Sequence, residues 1–206
     1  MKQKLTITVP KDYSAVTLKQ YLQFQEELQN YKDDPEAIET ILLHYICGVP
    51  AEYVSKIDSE TFGKIRTDLK SFMNNTDYPL QRFVTIDGIE YGFEPNLSKM
   101  SYGAYLDIAK YDTITIDKNW GKIMDILYRP VTNKTGALYE IKSYDGSINE
   151  DRWLSVGMHV HWGTLFFFSG LLSDLVNSTQ KSLREVEGIS PNIKSILERS
   201  GNPTLQ

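Results

Sequence analysis

The sequence predicts an α+β protein that is predominantly helical and has a few short antiparallel strands, including a β-hairpin near residues 82–93. Two observations predict this class. Apolar residues recur at steps of three and four in several segments that begin with capping residues, as amphipathic helices require. Around the dipeptide Asp87-Gly88 the pattern changes to an alternation of apolar and polar residues, which is typical of half-buried strands joined by a type I′ turn.

The chain opens with a strand signal and then a helix signal. The segment KLTITV, residues 4–9, alternates polar and apolar residues and stops at Pro10, so it predicts an edge strand. Thr17 predicts the N-cap of the first helix. The apolar stripe that supports this helix contains Leu18, Tyr21, Leu22 and Leu28.

Two further helices follow in the N-terminal part. Asp34 predicts a cap with Pro35 at the first helical position, and Gly48 predicts the end of the second helix. Asp58 or Ser59 opens another helix after a short helical turn. Its apolar stripe contains Phe62, Ile65, Leu69 and Phe72.

The second half mixes strands and helices. After the hairpin, helical spacing returns around Lys99–Tyr111 and Lys118–Tyr128, where Pro130 is predicted to stop the second helix. The segment ALYEIKSYDG predicts a strand and a turn. A long helix is expected over roughly Asp151–Glu185, followed by a short one in SPNIKSILERSG.

The change of pattern after the N-terminal helices predicts a boundary between two parts of the chain. Residues 1–76 would form an N-terminal strand and helical part, and residues 77–206 a hairpin and helical part. The joint would lie in NNTDYPL, Asn74–Leu80. One continuous domain is the alternative, because 206 residues suit a single domain.

Charge and hydropathy argue against several classes of partner. The net charge is -5 and the basic residues are not clustered, so we expect no nucleic-acid binding. The longest nearly apolar run, WGTLFFFSGLL, is too short for a bilayer span, and the N-terminus lacks the pattern of a signal peptide. Cys47 is the single cysteine; a nucleophilic pair with His44 is conceivable, but a core position in an apolar helix is favoured.

The stretch HVHWG, from His159 to Gly163, raises the question of a zinc site. Its two histidines resemble the zinc-binding strand of the α-carbonic anhydrases, in which residues i and i+2 of a strand face the same ion. Here they lie within an apolar stripe of helical spacing, and residues two apart on a helix are rotated by about 200°. We therefore expect core histidines, no metal and no cofactor. The stripe contains Leu154, Met158, His161, Leu165, Phe168, Leu172 and Leu175.

Other polar residues suggest weaker hypotheses. Glu94, Asp107 and Asp112 are carboxylates without a recognisable spacing, and surface positions are favoured for them. An ion pair of Arg129, in LYRP, near a helix end is one such hypothesis, but a position without a special role is favoured. No catalytic motif is found, so the sequence predicts that the protein is not an enzyme.

Several segments together resemble a family of uncharacterised tailed-bacteriophage proteins found among structural and assembly genes. They are LTITVPKDYSAVTLKQYLQF, FVTIDGIEYGFEPNLSKMSYGAYLDI, KIMDILYRPV, YEIKSYDG and LFFFSGLL, in this order over most of the chain. The resemblance implies a virion component of tail, neck or capsid, or an assembly chaperone. Its partners would be other phage structural proteins or further copies of itself, in the host cytoplasm during assembly or in the virion.

Two alternatives to this function stay open. One is a small metal-dependent enzyme that uses His159 and His161, and the other is an interaction module directed at a host protein. For a protein that acts through contacts, we expect the aromatic hairpin and the helix around HVHWG to supply the contact residues. These candidates are Phe83, Tyr91, Phe93, His159, Trp162, Phe166 and Phe167.

Overall fold

Helices and a four-stranded antiparallel sheet form the α+β fold that the sequence predicts. A computed structural model describes residues 7–74, 77–111 and 115–170 of the chain. The helices are α1 (Leu18–Asn30), α2 (Pro35–Tyr45), α3 (Ala51–Val54), α4 (Ser59–Met73), α5 (Tyr102–Ala109), α6 (Trp120–Leu127) and α7 (158–170). The strands are β1 (Phe83–Ile86), β2 (Ile89–Phe93), β3 (Tyr128–Thr135) and β4 (Leu138–Ile141), with short 3₁₀ turns at Tyr13–Ala15, Leu97–Lys99 and Glu150–Ser155.

The three long N-terminal helices begin where their capping residues predict. Thr17 closes a capping box with Gln20 at the start of α1. Asp34 accepts hydrogen bonds from the first turn of α2, with Pro35 in the first helical position. Asp58 accepts a hydrogen bond of 2.9 Å from the backbone at the start of α4. Because each carboxylate or hydroxyl satisfies amides that the helix leaves free, these predicted starts are confirmed.

The sheet has the order β1-β2-β3-β4. Asp87 and Gly88 have φ values of 50° and 78°, so the β1–β2 turn is of the predicted type I′. Strand β3 was not predicted, because Pro130 was interpreted as the end of a helix. It does end helical structure, but the chain continues directly into β3, where Pro130 pairs with Tyr91 and its carbonyl accepts from Lys142.

Two sequence predictions about regular structure are wrong. Residues 7–10 have no regular structure, so the described part of KLTITV is not a strand; residues 4–6 lie outside the described residues. The long helix does not begin at Asp151. Residues 16–18 form a short antiparallel bridge with residues 156–158, through Leu18 N–Val156 O at 3.0 Å and Met158 N–Val16 O at 2.7 Å, and helix α7 starts only after it.

The core of the first compact unit lies where α6, the Glu150–Ser155 turn and the start of α7 meet. Its largest fully buried side chains include Trp120, Trp153, Tyr128, Met158 and His161. The chain divides into two compact units, Met1–Phe166 and Phe167–Gln206. The domain boundary near residue 76 stays a prediction. The helix predicted in SPNIKSILERSG, and the end of the one predicted to reach Glu185, fall outside the described residues.

Candidate functional site

His161, the second histidine of HVHWG, is a core residue. Its Nδ1 accepts a hydrogen bond of 3.0 Å from Trp120 Nε1, so the ring proton of the neutral imidazole is on Nε2. Burial lowers the pKa of His161 to about 3, against the opposing effect of the carbonyls of Val156 and Trp153. The imidazole is therefore neutral at physiological pH, and its Nε2 has no hydrogen-bond partner among the described residues.

His159 lies in different surroundings from its neighbour. It is half-buried and lines a shallow pocket of about 430 Å³ together with residues of β1. Burial lowers the pKa of His159, and the carboxylate of Asp12 opposes this shift. Both histidines are on α7, where a separation of two residues turns their side chains about 200° apart, so they do not form the pair of ligands seen on a strand. Within the described part of the chain, no three potential ligands lie close enough to hold a metal ion.

Gly163 ends the motif because another part of the backbone lies against the helix there. A Cβ at this position would be 2.5 Å from the carbonyl oxygen of Pro79 and 3.2 Å from that of Tyr78. The segment between α4 and β1 thus packs directly on α7. The glycine is explained by this close approach and needs no ligand.

Trp162 and Phe166 belong to an aromatic cluster between α7, α1 and the Tyr13–Ala15 turn. Trp162 stacks on Phe166 with ring centroids 5.6 Å apart, and it meets the ring edges of Tyr21 at 5.4 Å and Tyr13 at 6.1 Å. Phe166 keeps 42% of its surface exposed and Phe167 keeps 36%. Contacts of these α7 residues with a partner stay predictions.

The hairpin does not project its aromatic residues outward, which corrects the sequence interpretation. Tyr91 and Phe93 are buried, with centroid distances of 6.0 Å to Trp153 and 5.2 Å to Tyr128. Phe83 is half-buried. Tyr91 and Phe93 are core residues because β2 is an inner strand whose pairing with β3 turns their side chains toward the core.

Cys47 and His44 lie in surroundings that do not favour a nucleophilic pair. His44 Nδ1 hydrogen-bonds the carbonyl of Val49 at 2.8 Å. Burial raises the pKa of the Cys47 thiol to about 11, so its reactive thiolate is scarce at neutral pH. The expected core position in an apolar helix is wrong for His44, which is exposed at the end of α2. It is only partly right for Cys47, which is half-buried and follows the end of that helix.

The expected surface position of Glu94 is wrong, because this carboxylate is buried, and Arg129 forms the ion pair near a helix end that was the less favoured hypothesis. Its guanidinium pairs with Glu94, and it also donates to a carbonyl in the last turn of α6 at 3.1 Å, where the helix dipole favours a cation. Asp107 bonds to the hydroxyl of Tyr144 and to a lysine on its own helix. Asp112 lies outside the described residues.

Asp125 anchors a buried network that the sequence analysis missed. Its carboxylate accepts from Trp153 Nε1 at 2.9 Å and from the backbone N–H of Asn149 at 2.8 Å, and it forms an ion pair with Arg152, whose Nε is 3.1 Å away. A signal existed: in WGKIMDIL, Asp125 is the one acidic residue of an otherwise mostly apolar helix. A buried carboxylate requires such partners, and its position predicts them.

A wide apolar groove lies between three N-terminal helices. It has a volume of about 580 Å³ and an almost entirely apolar lining. Most of the lining comes from apolar residues on successive turns of α1, α2 and α4: Phe24, Leu28, Ile38, Leu42, Phe62, Ile65, Leu69 and Met73. Sequence periodicity identified most of these residues as apolar stripes, but it did not reveal that they leave an open groove.

Charged side chains form the edge of the groove. Arg66 of α4 pairs with Glu39 of α2 at 2.7 Å, and Lys70 follows Arg66 one helical turn later. Met73, at the end of α4, keeps 53% of its surface exposed. The groove therefore presents an apolar floor with two cations on the side formed by α4.

No helix among the described residues is both long and apolar enough to cross a membrane. No family model, curated protein or solved structure matches the chain.

Proposed function

We propose that this chain is a structural or assembly protein of a tailed bacteriophage that acts through contacts with other phage proteins. The resemblance of the sequence supports the phage context. The observation that carries a contact function is the groove between α1, α2 and α4. Apolar clefts of this kind are a common form of binding site on folded proteins.

The proposed occupant of the groove is an amphipathic helix of a partner protein. Helix α4 spans 15 residues, or about 22 Å at 1.5 Å per residue, and Phe62, Ile65 and Leu69 of its apolar stripe line the groove. An added helix would bury one apolar edge against this stripe, as helix-in-groove complexes do. Because Arg66 and Lys70 lie on the α4 side, the partner helix would carry acidic residues on the flank that faces them.

The metal-dependent alternative is not supported by the positions of its two histidines. His161 is buried against Trp120, whereas His159 lines a separate surface pocket. The host-directed module differs from an assembly protein in where the protein is found. Mass spectrometry of purified virions, together with particle counts from a phage lacking the gene, distinguishes these functions.

Variants of the groove test the proposal directly. Met73→Glu places a charge at the exposed end of the groove, where partner binding should fail while folding is retained. Leu138→Glu is the matched control, because Leu138 is 79% exposed at the β3–β4 turn, away from the groove. We expect phage carrying Met73→Glu to form far fewer complete particles than phage carrying Leu138→Glu. Normal assembly with a folded Met73→Glu protein would show that the groove is not the partner-binding site. Normal assembly without the gene would show that the protein has no structural or assembly role.

A further inference from the structure

A small pocket separate from the apolar groove is lined mainly by residues with charged or hydroxyl side chains. Its volume is about 100 Å³. This is room for roughly three waters, or for one carboxylate or phosphate group. The lining comes from β2, α6, β3, the segment after β4 and the Glu150–Ser155 turn, and it includes three cations, Arg129, Lys142 and Arg152.

The two arginines have donors left over after their ion pairs are formed. Arg129 uses its two terminal nitrogens for Glu94 and a carbonyl of α6, and its buried Nε–H has no hydrogen-bond partner among the described residues. Arg152 Nε donates to the carbonyl of Asn149 and forms an ion pair with Asp125, and Nη1 donates to the hydroxyl of Tyr91. A guanidinium has five N–H donors, so acceptors are in short supply around both residues.

Lys142 and Tyr91 add to this excess of donors. The ammonium of Lys142 has three donors, and one of them is directed to Asp145 at 2.9 Å. The Tyr91 oxygen accepts from Arg152, which leaves its own proton to be donated elsewhere. The buried Nε–H of Arg129 is desolvated without an acceptor, so a ligand that only accepts hydrogen bonds would remove this penalty.

The carboxylates on the lining already have their own donors. Asp125 accepts from Trp153 and Asn149 and forms an ion pair with Arg152, and Asp145 accepts from Lys142 and from the backbone of Ser147. With Glu94 beside Arg129, positive and negative groups nearly balance. Unsatisfied donors, not net charge, would therefore be the recognising feature, and this favours weak binding with a Kd on the order of 1 mM.

We infer that this pocket binds a small oxyanion group, the chemistry shared by free phosphate and a carboxylate. The oxygen atoms of either group are acceptors and match the free donors of Arg129, Arg152 and Lys142. The pocket is separate from the apolar groove, so this inference does not depend on the proposed function.

The experiment is a titration of the full chain with inorganic phosphate and, separately, with acetate, at constant ionic strength set with chloride. Binding is followed by calorimetry and by the ¹H–¹⁵N signal of the Arg129 Nε–H. Lys142→Met removes the ammonium group of Lys142, one of the proposed donors to the anion, from a largely exposed position. Lys134→Met is the matched control, because Lys134 is likewise a partly exposed lysine paired with a carboxylate but does not line the pocket.

We expect saturable binding that shifts the Arg129 signal, a loss of affinity of about fivefold or more in Lys142→Met, and less than about twofold in Lys134→Met. Preference for phosphate or for acetate identifies which source of oxyanion the pocket accepts. Absence of a shift with either anion up to about 50 mM overturns the inference. Equal weakening in both variants also overturns it, because the effect would then be general charge screening.

Discussion

The buried imidazole of His161 makes the stability of this protein depend on pH in a range where carboxylates contribute little. Burial lowers its folded-state pKa to about 3, whereas an unfolded histidine titrates near 6.5. Between these values the unfolded chain binds one more proton than the folded chain at this position. Since protons favour the state that binds them, stability is fully present above pH 6.5 and falls as the pH is lowered toward 3.

The size of this effect follows from the difference in pKa. Each pH unit within the window removes about 1.4 kcal/mol from the free energy of unfolding. Lowering the pH from 7.5 to 5 should therefore cost about 2 kcal/mol at His161 alone. The pKa of His159 is also lowered, so that residue adds to the loss in the same direction, by less because it is only half-buried.

Urea unfolding of the wild type at several pH values between 7.5 and 5 measures the slope. His161→Gln keeps an acceptor for Trp120 but cannot be protonated, so it should lose most of the pH dependence. His159→Gln is the control and should lose a smaller part. Carboxylate titration is common to all three proteins and cancels in the comparison. If His161→Gln shows the same slope as the wild type, or if the His161 ring titrates near pH 6 in NMR spectra, the reasoning is refuted.

Three further predictions use urea unfolding or thiol kinetics. Gly163→Ala should lower the free energy of unfolding by about 1–3 kcal/mol because its Cβ meets the Pro79 carbonyl. Gly63→Ala, inside α4 with open space around it, should raise the free energy of unfolding by up to about 1 kcal/mol. Changes of the same sign in both variants would contradict this. Asp125→Ala should cost about 3–5 kcal/mol by leaving buried donors unpaired, and a loss below about 1 kcal/mol would show that the network is not stabilising. Cys47 should react with a disulfide reagent at pH 8 about tenfold more slowly than a free cysteine or slower still, and an equal rate would mean that its thiol is not buried.

Local chemistry made some elements predictable from the sequence. The starts of α1, α2 and α4 follow from Thr17, Asp34 and Asp58, because the capping side chain and the amides it satisfies are neighbours in sequence. The hairpin turn follows from Asp87-Gly88 for the same reason. Where the groups that stabilise an element lie a few residues apart in sequence, the sequence pattern predicts that element.

Features made by distant partners were not predictable in this way. Helix α7 starts late because Gly157 pairs with Thr17, about 140 residues earlier in the chain, and periodicity contains nothing of that contact. Burial of Tyr91 and Phe93 depends on the position of β2 inside the sheet, which follows from the unpredicted strand β3. The groove is likewise a space between elements, so no single stripe predicts it.

The composition of HVHWG follows from what each of its residues touches. His161 accepts from Trp120, Trp162 packs among aromatic rings, and Gly163 admits the Pro79 backbone. One turn of helix thus meets three parts of the chain, which explains its unusual residues without a metal. Because most of its surface is engaged internally, it has little left for a partner. The open groove of α1, α2 and α4 is therefore the better place to look for one.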